Sequence, residues 1–130
     1  MLTGVHGCAA RQHSLVPAAQ RTQVIGATVE ARDPALAAAL LQLRLTPSAA
    51  QHRAVAGEYQ RLGILDAAFD QLTAATRLDP HDAAAYDARA RIWREWGYPL
   101  MGVADANRAI FYAPTSASAQ NTLGTLLAAA

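Results

Sequence analysis

The sequence predicts an all-α chain built from helix–turn–helix repeats, on three observations. Pro47, Pro80 and Pro114 close amphipathic stretches in the contexts RLTPS, RLDPH and FYAPT, at intervals of 33 and 34 residues. Helix-starting residues keep the same register, since Ser48, Asp82 and Ser116 are 34 apart, and so do Tyr59, Trp93 and Leu127, and Ala75 and Ala109. Within two of these intervals stand Gly63 and Gly97, again 34 apart, each where one helix must stop and the next begin. A fixed period of this length describes two-helix units that bury their apolar faces against their neighbours.

Composition fits a small helical unit and narrows the function classes. A chain of 130 residues suits one domain, and alanine inflates the 52% hydrophobic content, as thin, closely packed helices require. A formal net charge of +1 leaves no electrostatic footprint for nucleic acid. All 11 basic residues are arginine, which we read as the codon composition of a GC-rich genome, with arginine-mediated anion recognition as the sharper reading. Cys8 is the single cysteine, so neither an internal disulfide nor a multi-cysteine metal site is available. No apolar run approaches the roughly 20 residues of a membrane-spanning helix.

Along the chain, residues 1–16 lack a helical period and read as a flexible leader. From Pro17 to about Ala31, Val24, Ile25, Thr28 and Val29 cluster on one helical face. Asp33 then caps a helix with Pro34 at its first position, and Leu36, Leu40 and Leu43 carry its apolar face to Leu45. Residues 17–47 are thus a degenerate first repeat. The repeat at 48–81 opens on a Ser48–Gln51 capping box, turns Val55, Ala56, Tyr59 and Leu62 inward and stops at Gly63. Asp66 starts its second helix, with Ala68, Phe69, Leu72, Ala75 and Leu78 on the inner face. The small residues Ala56, Ala68 and Ala75 let the two helices approach closely.

The repeat at 82–115 follows the same plan: Asp82 caps a helix bearing Tyr86, Ala90, Trp93 and Trp96, Gly97 ends it, and Pro99 restarts the chain into Val103, Ala106, Ala109, Ile110 and Tyr112. Residues 116–130 form the first helix of a truncated repeat, whose Leu123, Leu126 and Leu127 have no second helix to cover them. This end is expected to self-associate. Five to six helices are expected in all, antiparallel within each unit.

These residues resemble the tetratricopeptide repeat family, over 48–130 and more weakly over 17–47. The resemblance rests on Val55-Ala56, Tyr59, Ala68, Leu72, Ala75 and Pro80 in one unit, on Tyr86, Ala90, Trp93, Ala109 and Pro114 in the next, and on Leu123-Gly124 in the last. Arg89, Gly102 and Ala106 depart from the family pattern, and a snorkelling stem accounts for Arg89. The resemblance implies a right-handed α-α superhelix whose first helices line a concave groove for a peptide or protein partner. The groove positions fall on Arg53, Gly57, Gln60 and Arg61, on Asp87, Arg91, Arg94 and Glu95, and on Asn121 and Thr125. Arg53, Arg91, Arg94 and Asn121 are similar to the carboxylate-holding clamp of some family members, with a solvated helix surface as the plainer alternative.

No constellation for chemistry stands out. His6, His13, His52 and His81 form no metal-binding pair, and Asp79, His81 and Asp82 sit where turns and helix starts select such residues anyway. No catalytic residue, metal or cofactor is therefore expected. The residues Val5-His6-Gly7-Cys8-Ala9 resemble a bacterial lipoprotein processing box, with Cys8 as the lipidation site, although only seven residues precede it. The expected function is an interaction scaffold, cytoplasmic or lipid-anchored in a bacterial envelope as an assembly factor. The alternative is a structural fragment, or a regulatory module of a longer protein that includes an enzyme.

Overall fold

The computed structural model describes residues 14–21 and 27–130, and among these all regular structure is helical. A single 3₁₀ turn at Ala18–Gln20 precedes seven α-helices: α1 (Ala27–Arg32), α2 (Pro34–Leu45), α3 (Ala49–Arg61), α4 (Leu65–Leu78), α5 (Ala83–Glu95), α6 (Pro99–Tyr112) and α7 (Ala117–Ala129). Among the described residues the helices number seven where five to six were expected, and residues 17–31 do not make one helix. Arg21 is extended at φ −71° and ψ 131°, so the chain leaves the 3₁₀ turn instead of propagating it. Val24 and Ile25 lie outside the described residues.

The 34-residue register appears as helix capping. Ser48, Asp82 and Ser116 accept hydrogen bonds from the backbone N–H of Gln51, Ala85 and Ala119 at 3.1, 3.2 and 3.2 Å. Asp33 does the same for Leu36 at 2.9 Å. Each satisfies one of the donors a helix start leaves free. Gly63 and Gly97 adopt left-handed φ of 76° and 85°. The glycine N–H donates to the carbonyl three residues back, Gln60 or Arg94, at 3.0 Å in both turns. The next N–H, of Ile64 or Tyr98, reaches back five residues to Tyr59 or Trp93 at 2.9 Å in both.

This closure is so tight that Ile64 and Tyr98 end one helix and cap the next. It also corrects the expected start of α4. Asp66 is not a cap but the second helical residue, and it is buried.

Contacts along α5 and α6 fix their antiparallel course. Trp93 meets Tyr98 beside the turn, with ring centroids 5.9 Å apart, while Tyr86 stacks on Tyr112 at the far end at 6.0 Å. In α3 and α4, His52 near the start of one helix pairs with Gln71 well along the other at 2.7 Å. That histidine is half-buried and hydrogen-bonded.

The main core lies where the α3–α4 hairpin meets α5. Phe69 and Leu72 of α4 are almost completely buried with Val55, Ala56, Ala68, Ala75 and Ile92. Phe69 packs edge-on against Trp93 at 4.8 Å and lies tilted against Trp96 at 5.2 Å. Trp96 is thereby a half-buried packing residue. Ala56, Ala68 and Ala75 are fully buried, in keeping with the expected close approach.

Three apolar residues leave the faces assigned to them. Leu45 is 65% exposed because it lies nine residues after the buried Leu36, about half a turn out of phase. Leu78 is 57% exposed, carried about 150° from the centre of the buried stripe of α4. Leu126 is not uncovered: it is fully buried against Ala90 and Ala106, while Leu123 is half-buried and Leu127 stays 56% exposed.

Gly102 explains the place of Leu126. A Cβ at Gly102 would sit 2.5 Å from Leu126 Cδ2 and 2.9 Å from the carbonyl oxygen of Ala90. The missing side chain lets α6 lie against α5, and a leucine from α7 fills the remaining space. A departure from the family pattern is matched by a residue on another helix.

Candidate partner-binding face

The residues expected to form a groove share four columns of the 34-residue register: Arg53, Asp87 and Asn121; Gly57, Arg91 and Thr125; Gln60 with Arg94; and Arg61 with Glu95. They stand on α3, α5 and α7, which polar contacts join along this side. Arg53 Nε donates to Asp82 Oδ2 at 2.8 Å, binding α3 to the capping residue of α5. Ser118 of α7 donates to Asp87 Oδ2 at 2.6 Å, and Arg91 Nη2 lies 3.4 Å from the same oxygen. Arg94 donates to the Thr125 hydroxyl, which in turn donates to the Thr122 carbonyl at 2.9 Å.

The structure therefore brings Asp87, Arg91, Arg94 and Thr125 together across α5 and α7, with Arg53 at the α3–α5 junction. Gly57 and Asn121 are exposed and Gln60 is half-buried; nothing lies within 4 Å of a Cβ placed on Gly57.

The face is chemically uneven. Asp87 is 5% exposed, and its buried Oδ1 has no hydrogen-bond partner. The Arg53 and Arg91 side chains keep exposures of 38% and 46%, so guanidinium surface remains toward solvent at both. Arg61, also mapped to the groove, is drawn the other way: it binds Asp33 Oδ1 at 2.6 Å and Glu58 Oε2 at 2.8 Å, at the start of α2. The Arg61 hydrogen bond, with that from Leu36 N–H, holds the Asp33 carboxyl below the usual range. Tyr59 is displaced the opposite way, its phenol pushed well up by burial and by the bond it donates to Glu30 at 2.7 Å.

The most elaborate polar cluster was not foreseen. Arg89, expected to snorkel, is 6% exposed, with its guanidinium inside the α5–α6 hairpin. Its Nε and Nη2 donate to the two oxygens of Asp105 at 2.8 and 2.7 Å, and Nη1 donates to Thr73 at 3.2 Å. Trp93 Nε1 adds a bond to Asp105 Oδ2 at 3.1 Å, and Arg108 one to Oδ1 at 3.3 Å. The guanidinium carbon lies 5.4 Å from the Phe69 ring centroid and 5.7 Å from that of Tyr86. The carboxylate thus has four donors. That saturation suits holding helices together, and it leaves no obvious lone pair for a substrate.

A signal for this pair was present. Arg89 lies eight residues before Gly97 and Asp105 eight after it, so a hairpin folded at Gly97 places them opposite one another.

At the end of the expected leader, Val16 is buried with the main core and Ser14 donates to Asp70 of α4. Cys8, His6 and His13 lie outside the described residues. His81 is exposed against the Tyr112 ring at 4.8 Å, and Asp79 accepts its backbone N–H at 3.0 Å, an ordinary turn. Among the described residues no group of three metal-ligating side chains occurs, and no helix is long and apolar enough to cross a membrane. No protein-family model matches the chain, and no curated protein matches it.

Proposed function

We propose that this chain is an interaction scaffold of the tetratricopeptide type, in which α3, α5 and α7 are the first helices of successive units in a right-handed superhelix. Their common face takes a segment of a partner protein. The observation that carries this reading is the row of equivalent caps, Ser48, Asp82 and Ser116, which start three helices in one register and align Arg53, Arg91 and Arg94 on the connected side. Half-exposed guanidinium groups beside a shallow, glycine-widened surface suit carboxylate-bearing segments. No catalytic residue is assigned. Lipidation at Cys8 would place the same scaffold at an envelope membrane, in an assembly role.

Photo-crosslinkers placed at Asn121, on the proposed face, and at the exposed Arg77 of α4 would test this. A partner peptide captured from Asn121 but not from Arg77, whose binding weakens in Arg91→Ala at unchanged helix content and with rising salt, is the expected outcome. Equal capture from both positions, or full binding by Arg91→Ala, would count against the face.

A second reading is favoured by the exposure of Leu100, Phe111 and Leu127 at 72%, 76% and 56%. In it the chain packs on further helices as part of a longer protein, a regulatory module included, or self-associates through α7. Sedimentation across a concentration series separates self-association from a monomeric scaffold.

A further inference from the structure

The side of the molecule formed by the second helices, α4 and α6, carries an occupied groove. Asp66, Asp70 and Thr73 follow one another on one face of α4, and Met101, Asp105 and Arg108 on one face of α6. Arg89 and Trp93 of α5, both bonded to Asp105, lie behind them. The segment 14–21 sits here. Ser14 donates to Asp70 Oδ1, Arg21 Nη1 donates to Asp70 Oδ2 at 2.8 Å and lies 4.0 Å from Asp66 Oδ2, and Arg21 Nη2 donates back to the Ser14 hydroxyl. Val16, whose N–H donates to Ser14 Oγ at 3.2 Å, is 8% exposed in the core.

The fit is incomplete. Leu15 remains 52% exposed over a cavity of about 220 Å³, lined also by Arg89, Trp93, Met101, Asp105 and Arg108. One aliphatic anchor, polar bonds at the surface and unfilled volume beneath the neighbouring side chain are features of a docked peptide, where a continuous helical core would close such a space.

We propose that the α4–α6 groove is a second peptide-binding site, held in cis by residues 14–21. It takes in trans a short turned segment, like the cis one with its 3₁₀ turn at Ala18–Gln20, that carries a small aliphatic anchor, a hydroxyl two residues before it and an arginine five residues after it. Acidic α4 supplies the complementarity: Asp70 receives the hydroxyl and the guanidinium together, and Asp66 adds negative charge beside them. The partner differs in sign from the carboxylate-bearing one proposed for the opposite helices, so the two sites do not compete for the same ligand. Because the cis segment already occupies the groove, a free ligand binds with its intrinsic affinity multiplied by the fraction of molecules in which that segment is undocked.

Fluorescence anisotropy with a labelled peptide of the sequence of residues 14–21 tests this on the full chain. The parent is expected to bind it weakly. Val16→Asp, which ejects the cis anchor, should bind at least ten-fold more tightly, and adding Asp70→Arg should abolish that gain. A peptide carrying the same Val16→Asp change should not bind. If Val16→Asp does not fold, the pair Ser14→Ala and Arg21→Ala removes only the surface tethers and should raise peptide affinity in the same direction. Folded release variants that bind no better than the parent, or binding indifferent to Asp70→Arg, would overturn the proposal.

Discussion

Replacing Asp105 with alanine should be among the most damaging changes the chain can suffer, although Asp105 is a surface type of residue. The substitution leaves a guanidinium 6% exposed with only Thr73 and two aromatic faces as partners, and it strips the acceptor from Trp93 Nε1. Breaking one side of a buried pair costs about 3–5 kcal/mol. The orphaned indole N–H falls within that figure, being worth about 1–3 kcal/mol. A domain of this size holds about 5–15 kcal/mol in total, so the variant approaches the edge of folding. Removing both charges, as Arg89→Met with Asp105→Leu, eliminates the desolvation cost together with the attraction and is expected to cost less than Asp105→Ala, leaving mainly the orphaned Trp93 N–H at about 1–3 kcal/mol. Urea unfolding, followed by helical circular dichroism and by tryptophan fluorescence, measures all four corners of the cycle. If Asp105→Ala costs under about 1 kcal/mol, or if the double variant loses the sum of both singles, the cluster does not hold the hairpin as described.

Three further outcomes follow from packing and charge. Gly102→Ala should cost about 1–3 kcal/mol, and Leu126→Ala added to it should not restore stability, since the Ala90 carbonyl would still be 2.9 Å from the new Cβ; calorimetry that shows full rescue would place the strain elsewhere. Leu72→Ala, at a site 1% exposed, should cost about 2–5 kcal/mol, and thermal unfolding indistinguishable from the parent would refute the assigned face. Arg61→Ala should move the Asp33 pKa back up toward its ordinary value in an NMR titration. A depressed folded pKa gives stability that is present above the ordinary carboxylate value and lost as pH falls through the folded one. The parent should therefore lose more stability than Arg61→Ala across that acid window, and equal losses would separate Asp33 from the effect.

Helix starts and stops were legible in the sequence because they depend on local chemistry. Ser48, Asp82 and Ser116 cap through their own side chains, and Gly63 and Gly97 take a φ that other residues avoid. The periodic faces were legible only at their centres. Leu45 and Leu78 drift off the stripe at helix ends, where a run of leucines carries no information about phase. Arg89 was misjudged because each half of its pair, taken singly, looks like a surface residue; only the symmetry about Gly97 joins them. Among the groove positions, the register placed Arg53, Asp87, Arg91 and Arg94 along α3 and α5, yet the bonds to Asp82, Ser118 and Thr125 come from other helices and needed coordinates. Nothing in residues 14–21 marked Val16 as a core residue, since one valine in a polar stretch has no period.

The bonds between helices described above span 12 to 31 residues, whereas Ser14 and Arg21 reach Asp70 across 56 and 49. That difference changes how the chain carries load. A stack of hairpins pulled from its first residue peels one unit at a time, beginning with the outermost. Here the pull arrives at α4 first, through two side chains and one buried valine, and α1 and α2 lie outside the loaded path. They feel no tension until the anchor slips, so these two helices are mechanically sheltered by the segment 14–21.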